Sequence, residues 1–571
     1  MVERVSGPRG MVMRLRGPFV VLVGMSAISN ILMLAGPIFM LQIYDRVLTS
    51  RSIPTLVVLT AMVCFLYLYY AVIEALRSRM MMRIAAVIDL RIAPALFSAM
   101  AKTASAGGAA GGPDAVRDGD TLRGFLSGSG PLALLDLPWL PAYLAIIFVM
   151  HPDLGWLATI GALVILVLML INEFATRGPT AALGEASMRR QRFLDGVRAN
   201  GDAVNVMGMV GPLQGQRKFH QQSVLSALAL ATDRGSAVSS LIRGLRYLLQ
   251  SGVLALGALL VIEGQLSPGL MIAASIITAR ALAPVDQLVG QWRGLLMARQ
   301  ALARIRAVLA SDKRGAGLGQ MPVPAKAIVV QNLASGPKGS RVPLVTGLQF
   351  ELKAGDGMGI VGPTASGKSG VAKSMVGLWS GMLGTLRLDG AAIESFPPEQ
   401  LGGIVGYLPQ AFGLLDGSIG DNIARFSASP DTNAIIAAAQ LVGVHEMIVS
   451  LPDKYDTRIE DAGERLSLGQ RQRIGIARAF YGDPFLIVLD EPHAHLDADG
   501  DIALTRAIRA ARERGAIVVV AANRPGALEA MDKVLVLQKG RQIAFGPKEQ
   551  VLAPPAKPVA TVLKAVGVPA S

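Results

Sequence analysis

The chain has 571 residues, of which 52% are hydrophobic and only 17% charged, and its mean hydropathy is +0.46. These values exclude a disordered chain and a wholly water-soluble globule, and the length allows two to four domains. The net charge of +14 would suit nucleic acid or an anionic membrane surface, but the arginines and lysines flank apolar runs, which selects the membrane and no nucleic acid.

Arg14 and Arg16 precede an apolar run in the manner of a signal peptide. That run is too long for such a core and has no small-residue cleavage site, so it reads as a first membrane helix. Six apolar segments are predicted as spans, at about 19–41, 54–76, 131–150, 154–174, 241–262 and 268–288. Each is close to the ~20 residues a helix needs to cross ~30 Å of hydrocarbon. The single cysteine, Cys64, falls inside one of these runs and offers neither a disulfide nor a metal cluster. The long connectors carry Arg77, Arg79, Arg83, Arg91, Arg117 and Arg123, then Arg189, Arg190, Arg192, Arg198 and Arg217. The short loops carry chiefly Arg46 and Arg51. The positive-inside rule then puts both termini and both long connectors in the cytoplasm, as continuations of the membrane helices. Residues 104–113 are rich in Gly and Ala and read as an interruption. Asn30, Gln42, Asn172, Glu173 and Asp286 sit near predicted span ends, where interfacial anchoring is expected.

Several blocks of the membrane half carry a resemblance. Met40-Leu41-Gln42-Ile43-Tyr44-Asp45-Arg46-Val47-Leu48, Asp120-Thr121-Leu122-Arg123, Asp136-Leu137-Pro138-Trp139, Ala203-Val204-Asn205-Val206-Met207-Gly208-Met209 and Gly290-Gln291-Trp292-Arg293 are similar to blocks of type I secretion ABC transporters that export proteases, lipases and haemophores. The resemblance implies that coupling helices, which touch an ATPase domain, lie around residues 118–125 and 200–209.

Gly and Pro break the helical pattern over residues 313–324, which read as an interdomain linker. Beyond it, strands are predicted at 328–333, 349–352, 357–361, 404–408, 485–489, 517–521, 534–538 and 542–544, the purely apolar ones as buried parallel strands. Gly362-Pro363-Thr364-Ala365-Ser366-Gly367-Lys368-Ser369 fits the phosphate-binding loop G-x-x-x-x-G-K-[ST], between a strand and a helix. Backbone N–H groups and the helix N-terminus receive phosphate oxygens of ATP; Lys368 is a cation for the β- and γ-phosphates and Ser369 a ligand for Mg²⁺. Phe485-Leu486-Ile487-Val488-Leu489-Asp490-Glu491 is a hydrophobic strand ending in two carboxylates. Asp490 is placed to hold Mg²⁺ and Glu491 to polarise the attacking water.

Gln410, in Tyr407-Leu408-Pro409-Gln410, resembles the Q-loop glutamine of ABC domains, which meets the metal or water. Leu466-Ser467-Leu468-Gly469-Gln470 resembles the ABC signature, which implies that Ser467, Gly469 and Gln470 grip the γ-phosphate held by a second subunit. The D-loop reads Ala494-His495-Leu496-Asp497, and Asn523 stands where the family usually has its switch histidine. Leu468 replaces the usual first glycine of the signature, and residues 331–348 hold no aromatic to stack on adenine. These departures bear on hydrolysis more than on binding. Because the neighbouring D-loop could also bring an imidazole, His495 is a second candidate for the role Asn523 has lost.

The expected fold is an α-helical six-span ABC exporter transmembrane domain plus an α/β P-loop ABC nucleotide-binding domain: residues 1–312, a linker at 313–325, the ATPase at 326–560 and a tail at 561–571. The resemblance implies a homodimer in the bacterial inner membrane. It further implies a secreted polypeptide with a C-terminal signal as substrate, and a periplasmic adaptor and an outer-membrane channel as partners. A lipid or drug exporter, or an ATP-binding gated regulator with weak hydrolysis, remains an alternative.

Overall fold

The computed structural model describes residues 8–105, 115–312, 319–337, 340, 342–379, 381–460, 466–522 and 524–552. Most of the expected interruption at 104–113, the first half of the linker, Asn523 and the C-terminal tail lie outside these. The chain divides into two compact units, Met1–Met100 with Pro113–Asp312, and Ala101–Gly112 with Lys313–Ser571.

The first unit is helical. Among the described residues, six helical stretches are long and apolar enough to cross a membrane: Arg16–Ser50, Ile53–Ala101, Gly130–Met150, Pro152–Ala199, Val210–Ile262 and Pro268–Ala310. Four of the helices run well past the ~20 residues of a span, to 53, 48, 53 and 45 residues. Large apolar side chains such as Val58, Phe65, Leu68 and Leu163 point outward, as lipid-facing positions do. The first span is broken: Pro8–Leu32 ends in a turn, Ala35–Gln42 restarts beside Pro37, and a π-helical turn, Ile43–Val47, follows. The third is segmented into Gly130–Asp136, a 3₁₀ turn Leu137–Trp139 and Leu140–Met150, because Pro138 and Pro141 remove two N–H donors.

Asn30 and Asn172 are not interfacial anchors. Both are buried, Asn30 in a polar knot tying four helical segments. Arg77, only 2% exposed, donates to both oxygens of Asp136 at 2.9 and 3.0 Å and to Glu74 at 2.9 Å. Asn30 Nδ2 donates to Asp136 at 2.9 Å, the Ser26 hydroxyl donates to the same oxygen, and Tyr143 donates to the Asn30 carbonyl at 2.8 Å. Burying these charges is tolerable because each is paired and hydrogen-bonded. Asp286 and Glu173 are likewise paired, with Arg246 at 2.7 Å and Arg299 at 3.1 Å.

The π turn ends the first span so that Asp45 reaches the start of the last. Its carboxylate accepts from Gly269 N at 2.9 Å and from the Ser267 hydroxyl at 2.6 Å, satisfying N–H groups that a helix start leaves open. A Cβ on Gly269 would stand 2.6 Å from Asp45 Oδ1, so only glycine admits this approach. Of the two segments expected to hold coupling helices, one is the helix Ala115–Leu126, pinned by the Arg304–Asp118 fork at 2.8 and 2.6 Å. The other is the short helix Gly201–Val206, which ends in exposed Val206 and is followed by exposed Met207.

The second unit is built on a ten-stranded sheet. Five parallel strands form one half of it, from the edge inward, in the order Val405–Leu408, Leu486–Asp490, Ile517–Ala521, Gly357–Val361 and Lys533–Gln538. Leu486–Asp490 and Ile517–Ala521 are buried at every residue, which is why their sequences are unbroken apolar runs. Arg541–Pro547, Val345–Lys353, Ala327–Ser335, Gly381–Leu388 and Ala391–Ala392 extend the sheet on the far side. The last two are not among the predicted strands. Gly381–Leu388 carries two glycines and is mostly exposed, so it lacks the apolar alternation by which a half-buried strand is read.

Candidate nucleotide site

Register builds the site. Ala521 pairs with Ile360 on one side and Asp490 on the other, and Leu408 pairs with Leu489. The chain therefore leaves three neighbouring strands at one level, at the carboxyl edge where open α/β sheets bind ligands. The loop after Gly357–Val361 runs over exposed Pro363, Thr364 and Ala365 before entering the helix Lys368–Met375. Gly367 is the N-cap at φ +101°, a conformation that a side chain would strain. Lys368 is buried and folds back on the loop, its Nζ donating to the carbonyls of Gly362 at 2.8 Å and Pro363 at 3.0 Å. An ammonium has three protons, so one is left for an incoming phosphate.

Asp490 is 2% exposed, and both of its carboxylate oxygens lack a hydrogen-bond partner among the described residues. Burial pushes its carboxyl above the usual range, against the neighbouring Ser369 hydroxyl and the positive charges of Lys373 and Lys368. Burial and the Asp490 charge together push the Tyr407 hydroxyl up as well. A buried carboxylate with spare oxygens beside a hydroxyl is a fitting pair of ligands for a hard divalent cation, which takes its remaining ligands from waters and phosphates.

Glu491 follows at φ +53°, turning the chain sharply off the strand. Its Oε2 accepts from Gln410 Nε2 at 3.1 Å, and Gln410 Oε1 accepts a long bond from Ser369 at 3.5 Å. Ser369, Gln410 and Glu491, read separately from the sequence, thus form one chain of contacts. Asn523 lies outside the described residues.

Ser467 caps the helix Leu468–Phe480 in a reciprocal box: its hydroxyl accepts from Gln470 N at 3.2 Å, and its N–H donates to Gln470 Oε1 at 2.9 Å. Leu468 is 51% exposed and points away from this cap. Gly469 is fixed by packing, since a Cβ there would lie 2.9 Å from the His495 carbonyl. Asp497 caps the helix Ala498–Glu513, and the Gly500 N–H, then the Arg473 guanidinium, hold its carboxyl below the ordinary range.

Gln472 and His493 are not among the sequence-derived candidates. Gln472 is 1% exposed and donates to the Pro492 carbonyl at 2.6 Å, while its Oε1 accepts from His495 N at 3.0 Å, locking the signature helix to the turn after Glu491. Its partners are backbone atoms about twenty residues away, which leave no mark in sequence. His493 had a visible signal, a rare histidine directly after Asp490-Glu491-Pro492.

The family model for ABC transporters matches residues 345–494. The type I secretion system ATP-binding protein PrsD of Rhizobium meliloti is 44% identical over 534 residues, 93% of this chain and 92% of the relative. The toxin RTX-I translocation ATP-binding protein of Actinobacillus pleuropneumoniae is 26% identical over 95% of this chain and 78% of its own length. A solved bacterial Atm1-family ABC exporter with ATP bound shares the fold, with a TM-score of 0.78 at 20% identity over 94% of this chain and 96% of that one. The chain belongs to the ABC transporters, and among them to the type I secretion ATP-binding proteins. It is a multi-pass membrane protein with an ATP-using domain.

Proposed function

We propose that this chain is the ABC subunit of a type I secretion system and drives the export of a polypeptide across the bacterial inner membrane by hydrolysing ATP. The observation that carries this reading is the contact chain Ser369–Gln410–Glu491 beside the phosphate loop, in a protein whose described residues include six helical stretches of membrane length. Residues 1–312 are the membrane domain, 313–325 the linker and 326–560 the ATPase, with the ATPase and both termini in the cytoplasm.

The loop 362–369 receives the phosphates on backbone N–H groups, and the remaining proton of Lys368 meets the β- and γ-phosphates. Ser369, Asp490 and Gln410 would hold Mg²⁺, which would supply positive charge against the phosphate oxygens. Glu491, aimed by Gln410, accepts a proton from the attacking water. Ser467, Gly469 and Gln470 close over the nucleotide of a second copy, Asp497 anchors the loop between the two sites, and the working unit is a homodimer. Asn523 supplies an amide donor towards the γ-phosphate. A periplasmic adaptor and an outer-membrane channel complete the route, and the substrate is a secreted polypeptide with a C-terminal signal.

The test uses protein reconstituted in lipid together with cells carrying the same variants. Glu491→Gln should bind ATP normally and lose about two to four orders of magnitude in turnover, the scale of general-base loss. Lys368→Ala should weaken ATP binding itself. Both should remove the same polypeptide from the culture medium. Wild-type turnover in Glu491→Gln would overturn the site assignment; an unchanged set of secreted polypeptides would overturn the export reading.

A further inference from the structure

Two residues beyond Glu491, the imidazole of His493 is held on one side and without a partner among the described residues on the other. Its Nδ1 lies 2.9 Å from Asp501 Oδ1, in the first turn of the helix Ala498–Glu513. The side chain is 11% exposed, and its Nε2 is buried with no hydrogen-bond partner among the described residues. A cavity of about 250 Å³ is lined by His493 together with Glu491, Ala494, Ala522, Arg524 and Ala527. A buried polar nitrogen left unmet is unfavourable, and this cavity has room for several waters.

We propose that His493, oriented by Asp501, is a positioning residue for Glu491, an inference that rests on the water-activating role assigned to Glu491. When the Asp501 carboxylate accepts the Nδ1 proton, the neutral ring presents Nε2 as an acceptor. The Glu491 carboxylate is an acceptor too. One water in the shared cavity joins them by donating a proton to each. The bridge adds a hold on the Glu491 side chain beside that of Gln410, so that a residue on a strained turn keeps one orientation. The other charged groups around the ring are Arg524 on the cavity wall and, along the adjoining cleft, Arg506, Arg509 and Glu529, the last two paired at 2.7 Å. The site thus has an imidazole on the Glu491 turn itself, whatever Asn523 contributes.

The experiment is steady-state ATPase, ATP binding and thermal melting on the full-length protein in lipid. His493→Ala should lower kcat about tenfold to a hundredfold, the usual cost of losing a group that orients a site ligand, with KM and Tm nearly unchanged. Free imidazole should restore part of the lost rate by entering the emptied space. Asp501→Asn should lower kcat more mildly, again without a change in KM. His493→Gln, similar in reach and still an acceptor, should keep most of the turnover, and it serves as the readout if the alanine variant fails to fold. A wild-type kcat in His493→Ala overturns the inference. So does a loss that comes with a lowered Tm and a raised KM and that imidazole does not restore, since that marks a purely structural histidine. Glu491→Gln separates the two levels: if it turns over normally, the reading of Glu491 fails and this inference with it. If Glu491→Gln stalls while His493→Ala runs at the wild-type rate, only the inference fails.

Discussion

Burial of the Asp490 carboxylate is a cost that the folded protein carries. Because burial raises its folded pKa, the folded state holds the proton more tightly than the unfolded one, and stability falls as pH rises from the ordinary carboxyl range, ~3.9, through the raised value. Asp490→Asn removes that charge at nearly constant volume. It should therefore raise the nucleotide-free Tm at neutral pH, by roughly 2–4 °C for each kcal/mol recovered in a domain of this size. The gain should vanish below the ordinary carboxyl range, where aspartate is protonated in both states. The same variant should lose the extra stability that MgATP confers on the wild type. Melting curves against pH, with and without MgATP, check both, and a gain independent of pH would refute the electrostatic account. The residues most legible in sequence were those whose chemistry is compressed into a short pattern, Gly362 to Ser369 and Asp490-Glu491. Gln472 was hidden because it acts on distant backbone. Leu468 looked like damage to the signature, yet it projects outward, while the demand on Gly469 comes from the His495 carbonyl as much as from any phosphate.

Among the elements, the buried parallel strands were read nearly to the residue, because burial on both faces writes an uninterrupted apolar run. Gly381–Leu388 and Ala391–Ala392, which offer no clear apolar alternation, and the break in the first span are not legible in the sequence. Asp45 shows the same limit. It lies in a block that resembles the family, but its work, holding Ser267, 222 residues later, and the first turn of the helix Pro268–Asp312, is visible only in three dimensions. Asp45→Ala should destabilise the protein by about 1 kcal/mol, the usual loss of a cap. Gly269→Ala should cost more, since its Cβ would press on the carboxylate. In the double variant the carboxylate is gone and the methyl has room, so the cost should fall below the sum of the single ones. Thermal melts of the three proteins in detergent decide it; strict additivity would mean that the two residues do not meet.

For the whole molecule, the arginine asymmetry sets an orientation that labelling can test. In a Cys64→Ala background, Ser50→Cys should react with an impermeant thiol reagent in intact cells and Ser187→Cys should not; the reverse pattern would invert the topology. The polar knot of the first unit has a further consequence, which concerns how the protein is made. Arg77 is synthesised 59 residues before the Asp136 that satisfies it, and Ser26 and Asn30 wait for the same carboxylate. At ~5–20 residues per second, the ribosome takes about 3–12 s to deliver it. Throughout that interval the Arg77 guanidinium, at the cytoplasmic end of the second span, has only Glu74 on its own helix as a partner within this cluster. The first two spans therefore carry an incomplete polar cluster until the third reaches them, and the three complete their packing together.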